Sequence, residues 1–240
     1  MGKVHLVSRK EDLDQERVRG QVVVVLDILF ATSAVVSALS YGAREVIPVC
    51  DEWEARRVAE GKETYLLAGE NQGKFIDGFL SPFPNDWKEK LREKTIVLST
   101  TNGTVAVRKA SQASTVYIGA LLNSCFIAKY LTTNHRHQEI VILCSGSGGR
   151  FSLEDFYGAG CLIHYLLRFD ETWQSSDAAR SALLLYQHHP DPLALLSLSR
   201  VGKGMIRHGY GREVAFAAQQ NLFPLIPRLD QGVIRPLAFG

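Results

Sequence analysis

Residues 22–26 read Val-Val-Val-Val-Leu and run directly into Asp27. An unbroken apolar run without polar alternation is the mark of a strand covered on both faces. A carboxylate at its end is held at the rim of a buried sheet. The arrangement recurs. Residues 96–98 lead into Ser99 and then Thr100-Thr101-Asn102-Gly103-Thr104, and residues 140–143 lead into Cys144-Ser145-Gly146-Ser147-Gly148-Gly149. A helix-like segment follows each loop. Strands that deliver small polar loops to helix starts predict one composite site at the strand ends of an α/β sheet.

The rest of the chain keeps the alternation to about residue 169. Strands are expected at 4–7, 22–26, 45–49, 64–68, 96–98, 116–118 and 140–143. Helices are expected at 34–41, capped by Thr32 or Ser33, and at 52–59, 86–91, 104–113, 123–131 and 153–169. The segment 11–19 reads as a charged helix or turn, and 69–84 as a long loop. From about 170 the pattern turns helical, at 176–186, 192–199 and 213–218, with a late strand at 222–226. The predicted fold is a three-layer α/β/α domain over residues 1–240, its mostly parallel or mixed sheet covered by helices on both faces.

Composition removes several function classes. The formal net charge of the 240 residues is +2, and no basic run or basic-aromatic face is present, so nucleic acid is not an expected partner. No apolar run approaches the roughly 20 residues that span a bilayer, and residues 1–20 lack the apolar centre of a signal peptide. Cys50, Cys125, Cys144 and Cys161 are far apart and form no Cys-x-x-Cys pair, which argues against structural zinc and for a reducing, cytoplasmic setting. The histidines fall mostly in turns and read as solvent-facing. Trp53, Trp87 and Trp173 read as packing residues.

The loops carry the chemistry. Thr100, Thr101, Asn102, Gly103 and Thr104 offer hydroxyls and helix-start N–H groups to a phosphoryl oxygen, although Asn-Gly is also a hairpin signal. Asp27, Glu70, Glu154 and Asp155 come from three different strand-end loops. Two or three converging carboxylates suit Mg²⁺, which takes one or two of them together with water and phosphate oxygens. Ser152 with Asp155 also reads as a capping box. Cys144 to Arg150 has the Cys-x5-Arg spacing of a thiolate phosphatase loop, with Cys144 as nucleophile and Arg150 as anion clamp. Glu154 and Asp155 close behind would repel a bare phosphate and favour a metal-bridged site.

Taken together, Asp27-Ile28-Leu29-Phe30-Ala31-Thr32-Ser33, Ala68-Gly69-Glu70, Gly78-Phe79, Thr100 to Thr104, Ile118 to Asn123, Gly149 to Asp155 and Ser176 to Arg180 resemble the 2-phosphosulfolactate phosphatase family over nearly the whole chain. The resemblance implies an α/β/α fold and a Mg²⁺-dependent phosphatase. The implied reaction takes 2-phospho-3-sulfolactate to sulfolactate and phosphate, a step toward coenzyme M. On this reading Asp27, Glu70 and Glu154 hold the metal directly or through water, with Asp155 beside them. Thr32, Ser33, the Thr100–Thr104 loop, Asn123 and Arg150 fall around the small anionic ester. Phe30 and Asn71 stand where that family carries arginine, Leu80-Ser81-Pro82 shortens a family motif, and Asn221 replaces an aspartate. These departures sustain an alternative, a member with altered substrate or lost catalysis that binds an organic anion. Homo-oligomerisation stays open.

Overall fold

The computed structural model describes residues 2–237. Its strands are β1 (Lys3–Val7), β2 (Val22–Leu26), β3 (Glu45–Val49), β4 (Tyr65–Asn71), β5 (Lys74–Phe75), β6 (Thr95–Ser99), β7 (Thr115–Gly119), β8 (Glu139–Cys144), β9 (Gln174–Ser175), β10 (Pro227–Asp230) and β11 (Val233–Pro236). Its helices are α1 (Ala31–Ser40), α2 (Glu52–Ala59), α3 (Gly103–Ala110), α4 (Ser124–Asn134), α5 (Leu153–Phe169), α6 (Asp177–His188), α7 (Pro192–Leu198), α8 (Arg200–Arg207) and α9 (Gly211–Ala217). The strands form one sheet in the order β5-β4-β6-β3-β11-β10-β7-β2-β8-β1-β9.

The sheet has two parallel halves. In one, β2 lies between β7 and β8, and β1 pairs with β8 and β9. In the other, β6 lies between β3 and β4. The antiparallel hairpin β10–β11 joins them, with β10 on β7 and β11 meeting β3 at Ile234 and Val46. Beside that junction Arg235 donates to Glu45 Oε2 at 2.7 and 2.9 Å, and Thr95 Oγ1 donates to Glu45 Oε1 at 3.0 Å.

The pleat of β2 shows how the layers arise. Val23 and Val25 join α1 (Val35, Leu39) and α3 (Ala106, Val107), and the same cluster takes in Leu98 of β6 and Ile234. Val22, Val24 and Leu26 face α4 and α5, through Leu131, Leu162 and Leu166. On the other half, Val49 and Val97 pack against Ala55 of α2. Both halves therefore turn one face toward α1 and α3. The loops after β2 and β6 meet there, at Asp27 and Gly103, although four strands separate β2 from β6 in sheet order. The fold is the expected three-layer α/β/α arrangement. The C-terminal helices pack through Leu195, Leu196, Val214 and Ala217 against Ile28 and Phe30 at the turn after β2.

Several local readings change, among them the expected loop at 69–84, which carries the end of β4 and all of β5, and the expected helix at 86–91, which is a 3-10 segment over Pro84–Lys90. α1 starts at Ala31 without a side-chain cap, because Thr32 bonds back to Asp27 instead. Residues 222–226 are irregular, and the late strands are β10 and β11. The charged segment after β1 makes a short 3-10 turn at Lys10–Asp12. Trp53, expected to pack, is 81% exposed, whereas Trp87 and Trp173 are buried. Among the described residues no helix is long and apolar enough to cross a membrane.

Ile234 is fully buried at the junction of the two halves. Ile234→Ala is expected to destabilise the protein by about 2–5 kcal/mol, against no more than about 0.5 kcal/mol for a surface control at Leu222. Urea unfolding followed by circular dichroism measures both.

Candidate active site

Two strand-end turns are closed by the same device. After β2, Thr32 Oγ1 donates to the Asp27 carbonyl and accepts the Asp27 N–H, each at 2.9 Å, and Ser33 Oγ donates to the Ile28 carbonyl at 2.9 Å. After β6, Thr104 Oγ1 donates to the Thr100 carbonyl at 2.9 Å and accepts the Thr100 N–H at 3.1 Å, while Thr100 Oγ1 accepts the Thr104 N–H at 3.1 Å. A buried hydroxyl so used shapes the turn and has little left for a ligand. Thr32, Ser33, Thr100 and Thr104 thus build the loops that were expected to cradle phosphate with these hydroxyls. Asn123 is also reassigned: it is fully buried, accepts the Ala120 N–H and donates to the carbonyls of Ile118 and Leu225.

The loops themselves converge. A Cβ added to Gly103 would lie 2.5 Å from Asp27 Oδ2 and 2.3 Å from the Ala31 Cβ, so the start of α3 sits directly against the Asp27 carboxylate. Only a residue without a side chain permits that approach. One residue earlier, Asn102 Oδ1 accepts Lys10 Nζ at 2.9 Å and the Gly148 N–H at 3.2 Å. The loop after β8 is gripped from outside, with Arg9 donating to the Gly149 carbonyl at 3.0 Å and Arg200 to the Ser147 carbonyl at 2.9 Å. Arg150 is exposed at the end of that loop, where its backbone closes a tight turn with Ser147. Lys10 was not foreseen. A lysine next to Glu11 and Asp12 reads as a surface charge, and only the fold shows it 5% exposed.

The four carboxylates divide into two kinds. Glu70 is a strut: Oε1 accepts the Thr101 N–H at 2.7 Å, and Oε2 accepts the Gly73 N–H at 2.6 Å and the Thr101 hydroxyl at 3.0 Å. Glu70 and Thr101 thereby also bound a cleft of about 50 Å³ shared with Cys50 and Asp51. Asp155 is a second strut, accepting the Ile28 N–H at 2.8 Å and the Gly146 N–H at 3.2 Å. Half of the expected capping box forms, since Ser152 Oγ accepts the Asp155 N–H, but the Asp155 carboxylate reaches across to the other loops instead. Asp27 and Glu154 are different. Both are buried, the Ala31 N–H lies near enough to pull the Asp27 carboxyl down, and among the described residues nothing donates to the Glu154 carboxylate.

Burial first, and then Glu70 and Glu154, push the Asp27 carboxyl up to about 7, against the pull of Lys10 and the Ala31 N–H. Burial, with Asp27 and Glu154 nearby, also raises Asp155. Like charges gathered in a buried site favour a proton or a cation. Among the described residues no group of three His, Cys, Asp or Glu side chains has the geometry of a metal cage. Two carboxylates with few protein donors nonetheless match what Mg²⁺ asks of a protein when water and phosphate supply its other ligands. Asp27 and Glu154 fit that role, and Glu70 and Asp155 are spent on backbone N–H groups.

Cys144 does not fit a nucleophile. It is fully buried in the apolar cluster between β2, β8 and α5. Burial, reinforced by Asp155 and Glu154, raises its thiol well above the ordinary range, so the reactive thiolate is suppressed.

A family model described as 2-phosphosulpholactate phosphatase matches residues 7–232. Among curated relatives, a probable 2-phosphosulfolactate phosphatase of Clostridium beijerinckii is 31% identical over 236 residues, covering 97% of this chain and 98% of its own length. Proteins given the same description are 35% identical in Caldanaerobacter subterraneus subsp. tengcongensis, over 89% of both chains, and 32% identical in Clostridium novyi, over 94% of this chain and 96% of that one.

Asp27 generates a pH dependence of stability. Its carboxyl titrates near 7 when folded and at about 3.9 when unfolded. Between those values the folded state keeps a proton that the unfolded chain has lost, so stability falls as pH rises from about 4 to about 7. In metal-free protein, Asp27→Asn is expected to raise the melting temperature more at pH 8 than at pH 5. Thermal melts in chelator at both pH values measure the difference.

Proposed function

We propose that this chain, which belongs to the 2-phosphosulfolactate phosphatase family, hydrolyses 2-phospho-3-sulfolactate to sulfolactate and phosphate at the loops that meet around Asp27. The observation that supports the site most is the approach of Gly103 to Asp27 Oδ2. It sets the first turn of α3 beside a buried carboxylate, which is what a phosphate ester and a divalent cation need side by side.

Asp27 and Glu154 would hold Mg²⁺. Such an ion supplies an acidified water and offsets charge on the phosphoryl oxygens when bound. The chain's own groups do the remainder. Asn102 and Gly103 open α3, where orphan N–H groups and the helix dipole favour an anion. Lys10 lies close enough to draw the Asp27 carboxyl downward. Arg150, exposed at the loop end, is available to the substrate's carboxylate or sulfonate, groups that suit a planar bidentate donor. Hydrolysis breaks the phosphorus–oxygen bond to the sulfolactate carbon chain, water's oxygen joins phosphorus, and the departing oxygen ends as a hydroxyl.

Phosphate release from 2-phospho-3-sulfolactate is expected in Mg²⁺, to stop in EDTA, and to return when Mg²⁺ is restored. Release of no phosphate from this or any small phosphate ester, with ligand binding retained, would favour a member of the family that binds an organic anion without turning it over.

Variants separate the metal and thiol routes. Asp27→Asn is expected to lower kcat by roughly 10²-fold or more, whereas Cys144→Ser leaves it close to wild type. A Cys144→Ser protein that folds but is inactive, with activity insensitive to EDTA, would reverse the assignment.

A further inference from the structure

Lys10 is 5% exposed, an unfavourable place for an ammonium unless each of its hydrogens finds an acceptor. It finds three. Nζ lies 2.9 Å from Glu11 Oε1, 2.9 Å from Asn102 Oδ1 and 3.3 Å from the Ser145 carbonyl oxygen. These acceptors come from its own turn after β1, from the loop between β6 and α3, and from the loop after β8. The turn is pinned further by Lys109, which donates to the Lys10 carbonyl at 3.3 Å. A side chain that joins three strand-end loops from a buried position sets their relative placement.

The contact with Asn102 also has a sense. Asn102 Oδ1 spends both lone pairs, one on Lys10 Nζ and one on the Gly148 N–H. Rotating the amide by half a turn would set its NH₂ against two donors, so the ammonium dictates which end faces it. Nδ2 is left on the other side, and among the described residues it has no acceptor. Asn102 directly precedes Gly103, the residue that lies against Asp27 Oδ2.

We infer that Lys10 is a positioning residue, whose ammonium fixes the Asn102 amide so that its two N–H groups are presented to the phosphoryl oxygens of an ester bound beside Asp27. This rests on the phosphatase reading above and adds to it a residue that acts through another. A donor held in advance strengthens as charge grows on the phosphoryl oxygens, and it needs no reorganisation when that happens. Lys10 therefore acts on turnover more than on substrate affinity.

The test is a double-mutant cycle on the full chain in Mg²⁺ with 2-phospho-3-sulfolactate, using Lys10→Met, Asn102→Ala and the pair, each checked for folding by circular dichroism and melting. Each single variant is expected to lose about 10²-fold in kcat, with KM moving by less than about threefold. The pair is expected to be no worse than the poorer single variant, because both remove one donor. Losses that multiply, or a Lys10→Met protein with wild-type kcat, overturn the inference. If Lys10→Met does not fold, Asn102→Asp decides: it keeps both acceptor contacts and lacks the amide hydrogens, so wild-type melting with kcat lowered as in Asn102→Ala is expected, and wild-type kcat overturns the role. If the wild type turns over no ester, the phosphatase reading fails by itself, and titration of orthovanadate, a mimic of the charged phosphoryl transition state, into the same four proteins with Mg²⁺ tests the pair. Non-additive loss of vanadate affinity upholds it, while equal affinity in all four, or no binding, overturns it.

Discussion

The narrow junction between β11 and β3 is the contact on which the architecture depends. Two parallel half-sheets, each with its own outer helices, meet through a hairpin whose last strand touches β3 at Ile234 and Val46. Ile234 lies in the cluster that includes α1 and α3, so the seam is apolar on its inner side. On its rim Glu45 takes two bonds from Arg235 and one from Thr95. Both Arg235 N–H groups converge on the single oxygen Oε2 while Thr95 holds Oε1, so the pair ties β11 to the rim of the β3 half. How the halves meet decides whether Asp27 and Asn102 belong to one site.

Within the site the acidic residues solve a physical problem by division of labour. Gathering four carboxylates in a buried region is unfavourable unless each is neutralised. Glu70 and Asp155 are satisfied by backbone N–H groups from neighbouring loops and so act as tie bars. Asp27 keeps its unfavourable electrostatics, visible in its raised carboxyl. A folded protein that tolerates such a group keeps a destabilised spot that a proton or a cation relieves.

Much of the fold was legible because the strands are continuous apolar runs and the helices follow them at short range. β2, β3, α2 and α5 match their expected limits to the residue. The hairpin β10–β11 escaped notice because Arg228, Arg235 and Pro236 disguise two short antiparallel strands. In the site, the loops were legible and the tasks of their side chains were not. Thr32, Ser33, Thr104 and Asn123 are hydrogen-bonding residues at strand ends, and a sequence does not say whether such a group serves the backbone or a ligand. Phe30 was read as a missing arginine. In the fold it is a buried ring set edge-on to Phe83, 5.1 Å away, which ties the turn after β2 to the segment that precedes β6. Lys10 lies beyond sequence reasoning because its burial comes from loops 92 and 135 residues away.

The hairpin follows, in chain order, every element that it joins. During synthesis both half-sheets and all their helices leave the ribosome before the ribbon that sets them face to face. Asp27 and the start of α3 are thus both synthesised before the ribbon that closes the seam between their half-sheets.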